Sequence, residues 1–443
     1  MIAVSVLVVV AMTPIIIANL SVIPAEIPLL ILLLLLALLN YRICGCDVLY
    51  PGFIYSVLWL SALAFYTFCF LEVDQISVKT DGILLLGACV FTVGSYAARF
   101  MPRVVGVSKR LWKISTSGLG KKLLLAYVLC VFPLFYHDIA SLTGSYAVWS
   151  LASIRLALIK TMLSGKTPYT SVLTSSLPSI AVMVALVFVL DKETKESRKL
   201  ALVAVAMAYV IGILTTGRPQ IVQLTLGLIV IAVFRSGNKR FIPNVKRLLP
   251  AILLLVIVIG GVSAVTKADA QKSGVMPFVS KHLVMYVVGS VPAFDLIVRD
   301  PKNFQAMQNA TFAKLHPVAA SLGWNFRLPH GSFHFVLVPF PMNTYTAYSS
   351  YYLDFGIAGV ISFCLIIGLL HGWTYELAKR GSQAAMFVYC VYTYQLVMTI
   401  FTDQYTKISL FHHAQVLLFM AVYYGVLRYL NFTKESVIAH RAP

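Results

Sequence analysis

Apolar runs of about 15–22 residues, the length that spans a bilayer as a helix, recur along this chain. They fall at about 2–20, 25–41, 51–71, 82–98, 121–137, 170–190, 200–216, 219–234, 248–265, 356–376, 383–401 and 409–427. LLILLLLLALL at 29–39 and LLLVIVIGGVSAV at 253–265 are the purest of them. A transmembrane β-barrel would show alternating segments of about ten residues instead. The pattern predicts an all-α polytopic membrane protein of about twelve transmembrane helices. One stretch breaks the rhythm. Residues 266–356 hold His282, Arg299, His316, Arg327, His330, His334 and a tyrosine-rich tail, and they read as one long loop. No repeat or soluble linker appears, so 1–443 is read as a single integral membrane domain with 266–356 inside it.

Composition agrees with the pattern: 59% of residues are hydrophobic and 12% charged, against roughly 25% charged in soluble proteins. The net charge of +19 would suggest nucleic acid in a soluble protein. Here the positive-inside rule explains it, and no nucleic-acid motif is present. Basic clusters at 99–122, 192–199, 235–247, 379–380 and 428–441 all fall on one side of a twelve-helix parse. That places both termini in the cytoplasm and the 266–356 loop outside. Connections 138–169, 215–220 and 402–409 share the outer side. The first apolar run lacks a basic leader and a small-residue cleavage site, so it reads as a retained helix. None of the seven cysteines lies in the long loop, so no disulfide framework holds it. Cys44 and Cys46 lack a second pair that would complete a zinc site.

Candidate chemistry gathers on the outer side. Arg218 sits in TTGRPQ between two apolar runs, where an arginine costs roughly 2.5–3.5 kcal/mol unless solvated or paired. With Pro219 starting the next helix, it strengthens an anion site at a helix N-terminus; the plain alternative is an arginine snorkelling to headgroups. Arg155 and Lys160 lie in SLASIRLALIKTML, an amphipathic interfacial helix that either anchors or attracts anionic headgroups. KHLVMYVVGSVPAFDLIVRD (281–300) reads as a helix along or into the membrane, with His282 and Tyr286 on one face and Asp295 and Arg299 spaced to pair. NFRLPHGSFH brings Arg327, His330 and His334 together in a Gly/Pro-punctuated loop. Without an HExxH glutamate the histidine pair does not read as zinc, so no metal is expected. A histidine is a competent proton acceptor near neutral pH. In NTYTAYSSYYLDFGIAG (343–359), Tyr345, Tyr348, Tyr351 and Tyr352 make a helical stripe suited to a membrane interface or to sugar contact. Asp354 falls near the start of the next apolar run.

NTYTAYSSYYLDFGIAGV resembles the segment found in bacterial oligosaccharide repeat-unit polymerases, the O-antigen polymerase family. The TTGRPQI turn, the VVGSVPAFD stretch and the long external loop before the last three helices add to the resemblance, which covers mainly residues 210–370. It implies a metal-independent glycosyltransferase of the GT-C type in the bacterial inner membrane, acting at the periplasmic face and needing no cofactor. The implied substrate is an undecaprenyl-pyrophosphate-linked oligosaccharide, with a flippase and a chain-length regulator as partners. The growing glycan moves from its carrier onto the sugar of a new lipid-linked repeat unit. Arginines suit the pyrophosphate leaving group, which nominates Arg218, Arg155 and Arg327. A base must take the acceptor proton, which nominates His330, His282 and Asp354. Tyr286, Arg299, Asn343, Tyr345 and Tyr352 are the candidates for substrate contact.

Three other readings remain open on sequence. An O-antigen ligase would pass the glycan to lipid A-core. A flippase or transporter would show internal repeats and mid-helix charges. A non-catalytic assembly protein would need none of this chemistry.

Overall fold

The structure, a computed structural model, describes residues 26–68, 75–101, 118–144, 151–164, 168–191, 195–216, 219–236, 289–311, 320–323, 335–338, 341–406 and 410–423. Twelve α-helices appear among them: α1 Ile27–Ile43, α2 Pro51–Phe68, α3 Val78–Ala97, α4 Gly118–Thr143, α5 Leu151–Leu163, α6 Val172–Leu190, α7 Lys195–Leu214, α8 Pro219–Ser236, α9 Ser290–Arg299, α10 Tyr348–Lys379, α11 Gln383–Met398 and α12 Leu410–Ala421. A two-residue antiparallel pairing of β1 (Val336–Leu337) with β2 (Pro341–Met342) is the sheet among the described residues. Seven helices, namely α2, α3, α4, α6, α7, α8 and α10, are long and apolar enough to cross a membrane. The chain is thus an all-α protein with the helices of a membrane protein.

Local sequence sets the helix starts. Ser77 and Ser382 accept from Thr80 N and Ala385 N, and Ser171 with Thr174 forms a capping box. Pro51 and Pro219 open α2 and α8, where a missing N–H costs nothing. Ten of the predicted apolar runs are present as helices; the runs at 2–20 and 248–265 lie outside the described residues.

The tightest helix pair is α3 against α10. A Cβ added at Gly368 or Gly372 would run into the backbone of Phe91 or Ser95, and one at Gly94 into the carbonyl of Leu365. Gly368 and Gly372 are four apart and so share a face, the small-xxx-small pattern that lets two backbones touch. One apolar core forms around α1, α2, α3, α9 and the first half of α10. A second forms around α4, α6, α7, α8, α11 and α12, joined to the first through α2.

Arg99, Lys121 and Arg235 lie at one end of the bundle. Arg99 bonds Glu376 at 3.2 Å and the carbonyl of Ile43. Lys121, buried, bonds Asp191 at 2.8 Å and Ser197 at 2.9 Å. Arg235 caps the carbonyl of Leu190. Phe234 rests on the rings of Tyr375 and Tyr389, which bond Asp47 and the Leu49 carbonyl and tie the two groups together. At the opposite end, Asp295 meets Ser77 and Thr80, Asp138 meets Thr170, and Arg155 meets the Thr216 carbonyl.

Within the segment read as a long loop, 266–356, some described residues are packed into the bundle, while others, such as Asp300, Leu322 and Asn343, are exposed. α9 buries Val291, Phe294 and Ile297 completely, and Thr346 and Tyr348 are sealed inside. These residues carry aromatic and aliphatic side chains that two neighbouring helices can cover, so burial wins over exposure.

Candidate functional site

Two pieces of irregular chain enter the helix bundle and meet there. The first is built on Gly356. Within α10 this residue has φ 63° and ψ −152°, a conformation essentially reserved for glycine. The chain reverses at that point. Tyr351 and Phe363 are twelve residues apart and would stand about 18 Å from each other in a straight helix. Instead their rings stack at 4.3 Å with 4° between planes. Residues 348–355 are therefore a short helix folded back on 357–379, which at about 34 Å still suffices to span a bilayer.

The tyrosine stripe lies on this short helix and is packed on all sides. Tyr348 stacks on Trp59 at 4.9 Å and shares a hydrogen bond of 2.8 Å with Tyr55. Tyr352 meets Phe294 edge-on, with Lys79 5.6 Å above its ring. Tyr345, just before the helix, meets Phe304, and burial pushes its hydroxyl up to about 12. Asp354 stands near the end of this short helix, three residues before the helix 357–379 begins. Its carboxylate accepts from Asn309 N at 2.6 Å and Thr311 N at 2.9 Å.

The second piece is 399–406, between α11 and α12. Asp403, 1% exposed, organises it. Its carboxylate accepts from Tyr405 N at 2.8 Å, from Thr406 N at 3.1 Å and from the Thr406 hydroxyl. This is the side-chain-to-backbone turn for which aspartate is suited. The remaining bond comes from Tyr351 of the folded-back helix, at 2.9 Å. Ala347 N donates to the Thr399 carbonyl at 2.8 Å, and the Ser290 hydroxyl donates to the Ile400 carbonyl. Backbone polar groups buried among helices need partners. Here Asp403 and Ser290 supply them.

Tyr405 carries the polar network deeper. Its hydroxyl, driven well above the usual range by burial, shares a bond of 2.7 Å with His371 Nε2. Its carbonyl lies 2.6 Å from His413 Nε2, and His413 Nδ1 lies 2.6 Å from the Tyr392 hydroxyl. Next along α12, His412 meets Gln223 of α8 at 2.9 Å. Around this network are buried polar atoms with no partner: His371 Nδ1, Tyr394 Oη, Gln395 Oε1 and the hydroxyls of Thr311, Thr344 and Thr346. Each costs about 1–3 kcal/mol relative to a satisfied group.

The structure places some nominated residues together and separates others. Asn343, exposed, and Tyr345 and Tyr352, buried, belong to the folded-back segment with Asp354. Arg299 pairs with Asp295 at 2.6 Å and bonds the Gln75 carbonyl, at the far edge of α9 from Asp403. Asp295 also accepts from Ser77 and Thr80, so this pair joins α9 to the start of α3. Arg155 of α5 donates to the Thr216 carbonyl at 3.3 Å, two positions before Arg218 in sequence. Arg218, His282, Tyr286, Arg327 and His330 lie outside the described residues. Among the described residues no group of three or more His, Cys, Asp or Glu is placed to hold a metal ion.

Sequence reasoning passed over Asp403, Tyr405, His371, His412 and His413. TDQYTKIS read as an outer connection. The one trace in the sequence was the polar turn TDQYT directly after the apolar run at 383–401. His371 was hidden in an apolar run, where an ionisable residue is itself a functional pointer. No protein-family model, curated protein or solved structure matches the chain.

Proposed function

We propose that this protein is a lipid-linked oligosaccharide polymerase of the bacterial inner membrane, working at the periplasmic face with both termini in the cytoplasm. The observation that carries the reading is the meeting of the tyrosine-rich segment with 399–406 through Tyr351 and Asp403. The segment that resembles O-antigen polymerases is also the one that brings polar chain into the bundle. A reaction between a lipid-held donor and a lipid-held acceptor needs a polar chamber flanked by apolar helices. The basic residues gathered at the opposite end support the orientation under the positive-inside rule.

The chemistry assigns roles. The acceptor hydroxyl attacks the anomeric carbon of the growing chain, the bond to the carrier pyrophosphate breaks, and the acceptor proton passes to a base. Charge grows on the pyrophosphate as it leaves, where an arginine fork stabilises it. Arg155 donates to the carbonyl of Thr216, two residues before Arg218 in the chain, and both serve this role, with Arg327 from the loop. Histidine serves as base, and His282 and His330 are retained for that role. The undecaprenyl carrier enters between helices from the lipid side.

Deletion of the gene in its source strain tests the reading. Surface glycan should fall from a ladder to a single repeat unit, and the intact gene should restore the ladder. A ladder that persists on deletion refutes the polymerase. Full-length glycan accumulating on the carrier, with none transferred onward, identifies a ligase instead.

A further inference from the structure

The unpartnered hydroxyls of Thr344 and Thr346 flank Tyr345, whose ring is held by Phe304. The next residue, Ala347, is hydrogen-bonded to the carbonyl of Thr399 at the end of α11. One turn back along α11, about 6 Å, is Gln395, 1% exposed and with its amide oxygen unpartnered. Thr346 has no exposed surface at all. Three neutral hydrogen-bonding groups thus lie close in the chain to the seam where 343–347 meets the end of α11. No water reaches them in this arrangement, because the atoms have no accessible surface.

Hydrophobic residues would fill such a seam more stably. Valine matches threonine in shape and leaves nothing unsatisfied. Buried groups of this kind make sense where a second arrangement satisfies them. One backbone hydrogen bond crosses the seam, at Ala347, beside a buried apolar cluster that includes Tyr345, Ala347 and Leu396, and both 343–347 and 399–406 are irregular. We propose that 343–347 parts from α11 and that Thr344, Thr346 and Gln395 then bind the hydroxyls of a sugar. Hydroxyl and amide groups without charge fit a neutral polyhydroxylated ligand rather than a phosphate, which would call for cations. The sugar assignment rests on the glycosyl-transfer reading above; the opening of the seam does not.

Thiol labelling of full-length protein in native membranes separates the two. Thr346→Cys is treated with a small charged thiol reagent and the modified site is read by mass spectrometry. Asn343→Cys, at an exposed position, is the reference, and native Cys364 and Cys390, both buried, are the internal negatives. Membranes come from cells making lipid-linked repeat units and from cells blocked in the first sugar transfer to the carrier. Thr346→Cys should label in blocked membranes, and labelling should slow about tenfold when repeat units are present at roughly ten times their Kd. Labelling no faster than at Cys364 refutes the opening, whatever the protein does. Labelling that repeat units fail to slow refutes the sugar site. Should Thr346→Cys not fold, Thr344→Cys is read in the same way. Thr346→Val supplies the second readout: it should leave the protein at least as stable, yet shorten the polymer. A normal ladder from that variant refutes the subsite, whereas a gene deletion that leaves the ladder intact refutes the polymerase itself.

Discussion

Tyr351→Phe removes a single oxygen from the contact between the two irregular segments, and its effect can be worked out from the structure. The ring stays, because it stacks on Phe363 at 4.3 Å and is fully enclosed. What goes is one hydrogen bond of 2.9 Å to a carboxylate, a class worth about 1.5–3 kcal/mol. Asp403 keeps Tyr405 N, Thr406 N and the Thr406 hydroxyl, so it is not stranded. The loss therefore belongs at the lower end, about 1.5 kcal/mol, or roughly tenfold in the folding equilibrium. The assay is unfolding of the detergent-purified protein by titrated SDS, followed by tryptophan fluorescence in a variant that keeps Trp59, stacked on Tyr348 in the same core, and replaces the other four tryptophans by Phe. A double-mutant cycle with Asp403→Ala, or with Asp403→Asn where alanine does not express, isolates the pair. A coupling of about 1–2 kcal/mol is expected. Two losses that add to within about 0.3 kcal/mol would show that the Tyr351–Asp403 link contributes nothing and would refute the reasoning.

Gly356→Ala forces a side chain into a backbone region that only glycine occupies freely, so the same titration should show a loss of order 1–3 kcal/mol; an unchanged midpoint would mean that the chain does not reverse there. Gly368→Val places a branched side chain against the Phe91 carbonyl between α3 and α10, and a fluorescent fusion should lose its monodisperse size-exclusion peak. Gly82→Ala, whose Cβ meets nothing within 4 Å, is the matched control and should elute as wild type.

The helices were legible in the sequence because one physical signal, apolar length, dominates their formation. The predicted runs at 51–71, 170–190 and 219–234 appear as α2, α6 and α8 within a few residues. The amphipathic pattern around Arg155 appears as α5, and the Asp295–Arg299 pair forms as its spacing suggests. What stayed illegible was depth. Tyr345, Tyr348, Tyr351 and Tyr352 have the composition of an interfacial belt, yet each is buried. A tyrosine is read the same way in sequence whether its hydroxyl meets water or Asp403. Asp403 looked like an outer-loop acid because its partners are two backbone N–H groups, a nearby threonine and a tyrosine about fifty residues away, and none of these contacts leaves a periodic trace.

The reversal at Gly356 explains why the burial of the tyrosines and of Asp403 goes together. A polar turn such as 399–406 cannot sit among apolar helices alone, since its amides and its aspartate need partners that hydrocarbon does not offer. The folded-back helix supplies them: Tyr351 donates to Asp403, and Ala347 bonds the end of α11. The folded-back helix in turn depends on Asp354 holding the amides of 309 and 311 and on Phe294 of α9 closing over Tyr348 and Tyr352. Each polar element is thus satisfied by another from a distant part of the chain. Severing one link should weaken its neighbours, which is why the coupling between Tyr351 and Asp403, rather than the cost of either change alone, is the quantity that tests the architecture.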